Sequence, residues 1–269
     1  MRKQSIYQIL FLAATISLSS CEKVIDVKLD SSANQVVIEG NITDQQGPQT
    51  IKISQSVPYT DSNVYPAVTG AVVTVTDDAG GSWLFSEAQP GNYSLASFRG
   101  VPGRTYTLHV NANNVTYTAM STMPKSVALD SLSVDVISFG GNENKQVQVH
   151  FKDPGNQINQ YLYFMKINGV QAKSIFVEND RFTNGNDISS VLFYFSENDD
   201  EDLKSGDQVE VEMQSIDKSI FTYWFTLSQQ TQNGPGGGVT PGNPPSNINN
   251  NALGYFSAHT TERKTLTIE

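Results

Sequence analysis

Cysteine is nearly missing from this chain: Cys21 stands alone among 269 residues. No intramolecular disulfide can form, and no second thiol exists for a redox pair or a cysteine-rich zinc site. Histidine is almost as scarce. His109, His150 and His259 lie far apart, without the H-E-x-x-H pairing or any similar ligand spacing. A G-x-S-x-G elbow and a P-loop are also lacking, so the commonest nucleophilic and phosphate-handling motifs give no lead. Basic residues are outnumbered, 17 Lys and Arg against 27 Asp and Glu for a net charge of −10, and no dense basic patch occurs. That balance disfavours nucleic acid and anionic surfaces as partners. Beyond the first twenty residues no apolar run approaches the roughly 20 residues of a membrane-spanning helix. The end Thr267-Ile268-Glu269 carries no aromatic, and paired aromatic girdles are missing, which argues against a transmembrane barrel.

The N-terminus, by contrast, is rich in information. Arg2 and Lys3 precede a largely apolar stretch, Ile6–Leu18, of the length of a signal-peptide core and too short for a permanent span. Leu18-Ser19-Ser20-Cys21 follows, a lipobox-like arrangement of small residues before a cysteine. Small side chains fit a peptidase at the cut, and only a thiol can carry a diacylglycerol thioether. The expectation is a signal peptide over 1–20, cleavage between Ser20 and Cys21, lipidation of Cys21 and a tether over 21–34. An ordinary buried cysteine is the plainer reading, but the only cysteine falls where a lipobox needs it. Two or three acyl chains anchor a protein stably where one is marginal, so the membrane is the first expected partner, reached through lipid.

From Gln35 to Thr122 the pattern is short strands separated by turn chemistry: 35–43, 50–56, 71–77, 82–86, 92–97, 105–111 and 115–122. Val73 and Val75 alternate with polar neighbours, as do Tyr106, Leu108 and Val110. Gln46-Gly47-Pro48, Asp77–Gly81, Gln89–Asn92 and Asn111–Asn114 supply the breaks. Seven strands at this spacing predict a β-sandwich over 35–124. Past Pro124, strands are expected at 131–138, 145–152, 160–168, 173–178, 190–196 and 208–215. Ile220, Tyr223, Trp224 and Leu227 recur at helical spacing, with Asp217 or Ser219 placed to cap, so 217–231 reads as one amphipathic helix rather than another aromatic-rich strand. A Gly/Pro/Asn-rich loop at 233–251 cannot hold regular structure, and strands return at 252–258 and 264–268. The expected fold is mainly β: two packed antiparallel sandwich-like domains, 35–124 and 125–269, with one helix.

Two candidate sites stand out. The run Glu197-Asn198-Asp199-Asp200-Glu201-Asp202 clusters carboxylates able to hold calcium, but it lacks the alternation and glycine of an EF-hand loop, and a solvated turn ahead of Lys204-Ser205-Gly206-Asp207 is the favoured reading. Tyr161, Tyr163, Phe164, Phe193, Tyr194, Phe195, Phe221, Tyr223, Trp224 and Phe225 concentrate in the second half. Neighbouring strand residues face opposite ways, so these rings divide between a core beneath the helix and a surface where rings stack on sugars or anchor peptides.

Several of these pieces carry a family likeness. Gly70-Ala71-Val72-Val73-Thr74-Val75, Gly91-Asn92-Tyr93 and Gly103–Leu108 resemble the hairpins of prealbumin-like and carboxypeptidase-regulatory-like sandwiches. Cys21–Asp26, Val36–Thr43, Pro58-Tyr59, Gly100–Tyr106, Ser205–Val209, Phe221–Phe225, Ser246–Ile248 and Ala252–Ala258 together resemble a family of Bacteroidota outer-membrane lipoproteins catalogued as a domain of unknown function. That resemblance covers the whole chain after the leader. It implies anchorage at the outer membrane and a possible TonB-dependent receptor as partner. It brings no catalytic residues, metal or cofactor. Glu22 is followed by Lys23 and Val24, a poor match to the acidic run of surface-exported members. The reading is a non-catalytic binding or accessory lipoprotein. The alternatives are an envelope hydrolase of glycans or peptides using two carboxylates that only folding brings together, and a structural or adhesive module.

Overall fold

Alternation between buried and exposed side chains builds both halves of the body. The computed structural model describes residues 34–58, 61–139, 142–194, 202–231 and 242–269. The leader, Ser20 and Cys21 lie outside these residues. Residues 34–269 form one compact unit. Among the described residues no helix is long and apolar enough to cross a membrane.

The first half holds β1 (Val36–Thr43), β2 (Gly47–Gln55), β3 (Val72–Asp77), β4 (Ser82–Gln89), β5 (Asn92–Phe98), β6 (Thr105–Ala112) and β7 (Val115–Thr122). β2 lies between β1 and β5, while β6 lies between β3 and β7. β4 joins the two layers: Ser82–Phe85 pair with β3, and Ser86–Gln89 with β5. Every second side chain of β1 and β6 is buried, so Ile38, Ile42, Tyr106, Leu108 and Val110 meet Ile51, Val73, Val75 and Tyr93 in one core. Tyr93 is fully buried yet satisfied, its hydroxyl donating to the Val68 carbonyl and accepting from the Ala71 amide, both at 2.9 Å. Pro48, expected in a turn, stands inside β2 next to a register shift between Gly47 and Gln49. A residue without an N–H is tolerated at such an irregularity.

The second half holds β8 (Ser131–Phe139), β9 (Asn142–Lys152), β10 (Gln160–Ile167), β11 (Val170–Gln171), β12 (Phe176–Asn179), β13 (Asp187–Leu192) and β14 (Gln208–Ile216). β9 sits between β13 and β8 in a separate three-stranded sheet. Its Val147, Val149 and Phe151 pack against Tyr161, Tyr163, Met165, Val209, Val211 and Met213 of β10 and β14. The helix α1 (Lys218–Thr231) lies on the other face of β10 and β14, where Ile220, Phe221 and Trp224 meet Leu162, Phe164, Ile216 and Tyr255. Asp217 caps it, its Oδ1 accepting from the amides of Ser219 (2.9 Å) and Ile220 (3.0 Å).

Two expectations are corrected. The separate strands at 252–258 and 264–268 are one strand, β15 (Leu253–Thr267). Its first part runs parallel to β1, from Leu253 beside Val37 to His259 beside Thr43; its second runs antiparallel to β14. The intervening residues lack apolar alternation because the strand there passes from one half to the other with both faces covered, burying His259, Thr260 and Thr261. β15 thereby threads a single sheet through residues on both sides of position 125. Of the loop expected at 233–251, the described residues 242–251 are more ordered than composition predicts. Residues 232–241 lie outside the described part, but Ile248 is buried and bridges to Ala119. The Asn247 and Asn250 amides donate to the carbonyls of Met120 and Thr116, and Asn249 Oδ1 accepts from the Thr118 amide at 2.7 Å. Asparagine side chains here cap the open edge of β7, the kind of cover that protects a sheet margin from pairing with another chain.

Candidate binding cleft

The side chains that β14 turns away from the second core are Glu210, Glu212 and Gln214. By alternation these stand on the polar face of the strand; in the fold they floor a cleft. β10 contributes Phe164 and Lys166, β1 contributes Asn41 and Thr43, and β15 contributes Tyr255, Ser257 and His259, while α1 overhangs with Trp224. Two adjoining hollows of about 410 and 250 Å³ share Phe164, Glu212, Gln214 and Trp224. The larger is within the usual range of small-ligand sites.

The wall is aromatic. Trp224 meets Phe164 edge-on at 5.7 Å between centroids, Tyr223 at 5.6 Å and Tyr255 at 5.3 Å; Tyr223 and Tyr255 are 5.0 Å apart. Rings at these separations hold each other in place. Burial pushes the Tyr223 hydroxyl up to about 12, reinforced by Tyr255 and Glu39, and burial likewise raises Tyr255 against the opposing hydrogen bond from Asn41. Both phenols stay protonated and can donate.

Charge on the floor is neutralised in place. Lys166 Nζ is 2.9 Å from Glu210 Oε1. Arg263 grips Glu212 Oε2 through Nε at 2.8 Å and a terminal nitrogen at 2.6 Å, while Gln214 donates to Oε1 at 2.7 Å. The Lys166 bond pulls the Glu210 carboxyl below its usual range despite burial, so it is an acceptor at neutral pH and a poor proton donor. His259 ends the floor, hydrogen-bonded through Nδ1 to Ser257 Oγ at 3.0 Å. Burial drives its pKa down to about 4, only partly opposed by Glu212 and Asp44, so the ring is neutral.

The residues singled out in the sequence divide as follows. Phe164 and Trp224 line the cleft, and Tyr223 packs against Trp224 and Tyr255 beside it; Tyr161 and Tyr163 are buried in the second core. Phe221 stacks on Phe225 at 5.5 Å, and Phe193 and Phe225 are exposed. Phe195 and Glu197–Glu201 of the acidic run lie outside the described residues. His109 and His150 face away from the cores as alternation requires; His150 is bonded between Ser133 and Ser189. His259, Tyr255, Lys166, Glu210, Glu212 and Arg263 were missed, because a cleft on the polar face of four strands distant in sequence leaves no local signature. Among the described residues no three or more His, Cys, Asp or Glu side chains group as a metal site.

The family described as Domain of unknown function (DUF4249) matches residues 22–265. This chain belongs to that family. The DUF4249 match takes in every residue that lines the cleft. Comparison with curated proteins finds no match. Among solved structures the chain is similar to a two fibronectin type-III domain segment from chicken tenascin, at 14% identity and a TM-score of 0.22, over 68% of this chain and 91% of that one.

Proposed function

We propose that this DUF4249 protein is a lipid-anchored envelope binding protein, non-catalytic, working as an accessory to an outer-membrane TonB-dependent uptake receptor. The observation that carries the binding role is the cleft itself: an aromatic wall of Phe164, Trp224 and Tyr255 over a floor whose charges are already paired. Such a surface suits a ligand with one apolar face and several hydroxyl or amide groups, which is the chemistry of a glycan or a peptide. Paired charges keep their hydrogen-bonding capacity without demanding a counter-charge from the ligand. The tether is supported by Leu18-Ser19-Ser20-Cys21, and the receptor partnership by the family resemblance alone. The hydrolase reading is weakened by Glu210, a carboxylate held charged where a general acid needs its proton retained.

The test uses the full lipidated chain. Affinity purification from native outer membranes is expected to bring down a large barrel receptor, and Cys21→Ser to release the protein from the membrane. Glycan and peptide panels read through tryptophan fluorescence, with Trp83→Phe leaving Trp224 as the one reporter, are expected to show saturable quenching that Phe164→Ala weakens at least tenfold. A protein that membranes retain without Cys21, that no panel member quenches, or whose binding Phe164→Ala leaves unchanged, overturns the proposal.

A further inference from the structure

The end of the second core carries a group of oxygens with no protein partner. Asp153 follows β9, Asn159 precedes β10, and Asp180 follows β12; all three are 1–4% exposed. Register explains why they meet. β10 and β12 pair antiparallel with Gln160 opposite Asn179 and Tyr161 opposite Glu178, and the Asp180 amide donates to the Asn159 carbonyl at 3.2 Å. Asn159 and Asp180 are therefore directly opposed, their side chains on the core face beside Tyr161, within about 5.5 Å at the β-carbons. Asp153 joins from the adjoining loop, accepting from the Tyr161 hydroxyl at 2.5 Å and from the Gly185 amide at 2.9 Å.

Asp153 is thus satisfied, but its neighbours are not. Both carboxylate oxygens of Asp180, and Oδ1 of Asn159, have no hydrogen-bond partner among the described residues. No Lys, Arg or His among the described residues is ion-paired with Asp153 or Asp180. Burial, then the charge of Asp153 and its carboxyl within hydrogen-bonding reach, push the Asp180 carboxyl up against the opposing Asn159 amide. Orphaned acceptors at such depth are rare and call for an occupant. A single proton on Asp180 can bridge to one acceptor only. A cation engages all of these lone pairs at once.

We propose that Asp153, Asp180 and the side-chain oxygen of Asn159 form a divalent-cation site of calcium type, which clamps the β9–β10 loop to the β12–β13 loop at the end of the second sandwich. The donors are all oxygen, which selects a hard cation, and two carboxylates balance a charge of two. The ligands come from two irregular loops, a flexible setting that suits the six to eight ligands of calcium better than the strict octahedron of magnesium, with water and backbone carbonyls completing the shell. The site is independent of the cleft and of its proposed ligand. The tyrosine–carboxylate contact also supplies a reporter, because Tyr161 stands beside the proposed ion and can sensitise terbium emission.

The test takes the full chain in detergent, stripped with EDTA, and titrates terbium and then calcium. To silence the acidic run, Glu197→Gln, Asp199→Asn, Asp200→Asn and Glu201→Gln are introduced together in the background protein. Tyrosine-sensitised terbium emission is expected, displaced by calcium and not by an equal concentration of magnesium. Calcium at a hundredfold excess over its Kd is expected to raise the melting temperature by about 5–10 °C. Asp180→Asn should cut the emission at least tenfold and remove the thermal shift. Asp187→Asn, at an exposed carboxylate paired with Lys152, should leave both unchanged. Folded protein that melts identically in EDTA and calcium, with no displaceable emission, overturns the site. So does stabilisation brought by lowering the pH alone, which marks a shared proton. If Asp180→Asn does not fold, Asn159→Ala and the response of the background protein decide the matter.

Discussion

At the scale of single residues, the side chain with the clearest pH signature is His259. Its folded pKa of about 4 lies below the ordinary value of 6.5, because burial opposes the charged ring more than Glu212 and Asp44 favour it. Between these two values the unfolded chain binds a proton that the folded chain does not, so stability falls as the pH drops from about 6.5 towards 4 and is unaffected above that window. The shift corresponds to roughly 3 kcal/mol at full expression. Denaturant unfolding of the wild type and of His259→Gln across this range is expected to give curves that diverge on the acid side of pH 6.5, the variant losing less. Parallel curves would place the ring's titration elsewhere. The same residue bears on the cleft, since a neutral imidazole at the floor adds no charge beside the paired Glu212.

At the scale of elements, α1 hangs on one capping residue with two roles. Asp217 Oδ1 serves the helix amides, while Oδ2 accepts from the Ser121 hydroxyl at 2.5 Å and from the Thr122 amide at 3.2 Å on β7. Ser121 Oγ in turn accepts from the Ala258 amide of β15 at 2.9 Å. Asp217→Ala removes the cap, about 1 kcal/mol, and strands the Ser121 hydroxyl, for a total of about 2 kcal/mol in equilibrium unfolding. Asp217→Asn keeps an acceptor for the helix amides and should recover about half. Equal losses for the two variants would show that the helix does not depend on this cap. The helix itself was legible from the spacing of Ile220, Tyr223, Trp224 and Leu227, and most strands were legible from alternation, because each half has a core on one face. Legibility failed where that physics stops applying. Around Thr260 both faces of β15 are covered, so polar residues are buried and the strand reads as a break. In the cleft a polar face is partly roofed, and nothing local separates Glu212 there from a glutamate in open water. The cation site failed for a third reason: Asp153, Asn159 and Asp180 come together through strand register, which spacing in one dimension does not contain.

At the scale of the whole molecule, β15 couples what composition would divide. A division at residue 125 separates two cores, yet Leu253–His259 lie beside β1 and Thr260–Thr267 beside β14, so one strand completes both. Any opening of the first core that frees β15 from β1 also withdraws support from the sheet against which the second core packs. Two substitutions test this. Gly254 has φ +88° and faces Ile38 across the parallel pair, where an added β-carbon would stand 2.1 Å from the Ile38 carbonyl oxygen; Gly254→Ala therefore strains the junction with β1 by at least about 3 kcal/mol. Val211 is fully buried in the second core, and Val211→Ala opens a small cavity there at about 2 kcal/mol. If the halves were independent, calorimetry would resolve two transitions and each substitution would move only its own. Shared through β15, they are expected to melt together, with calorimetric and van't Hoff enthalpies in agreement and the one transition lowered by either substitution, by about 2–4 °C for each kcal/mol lost. Two endotherms that shift separately would show that the strand crossing carries no coupling, and that the parallel pairing of β1 with β15 is a local adornment of the first sandwich.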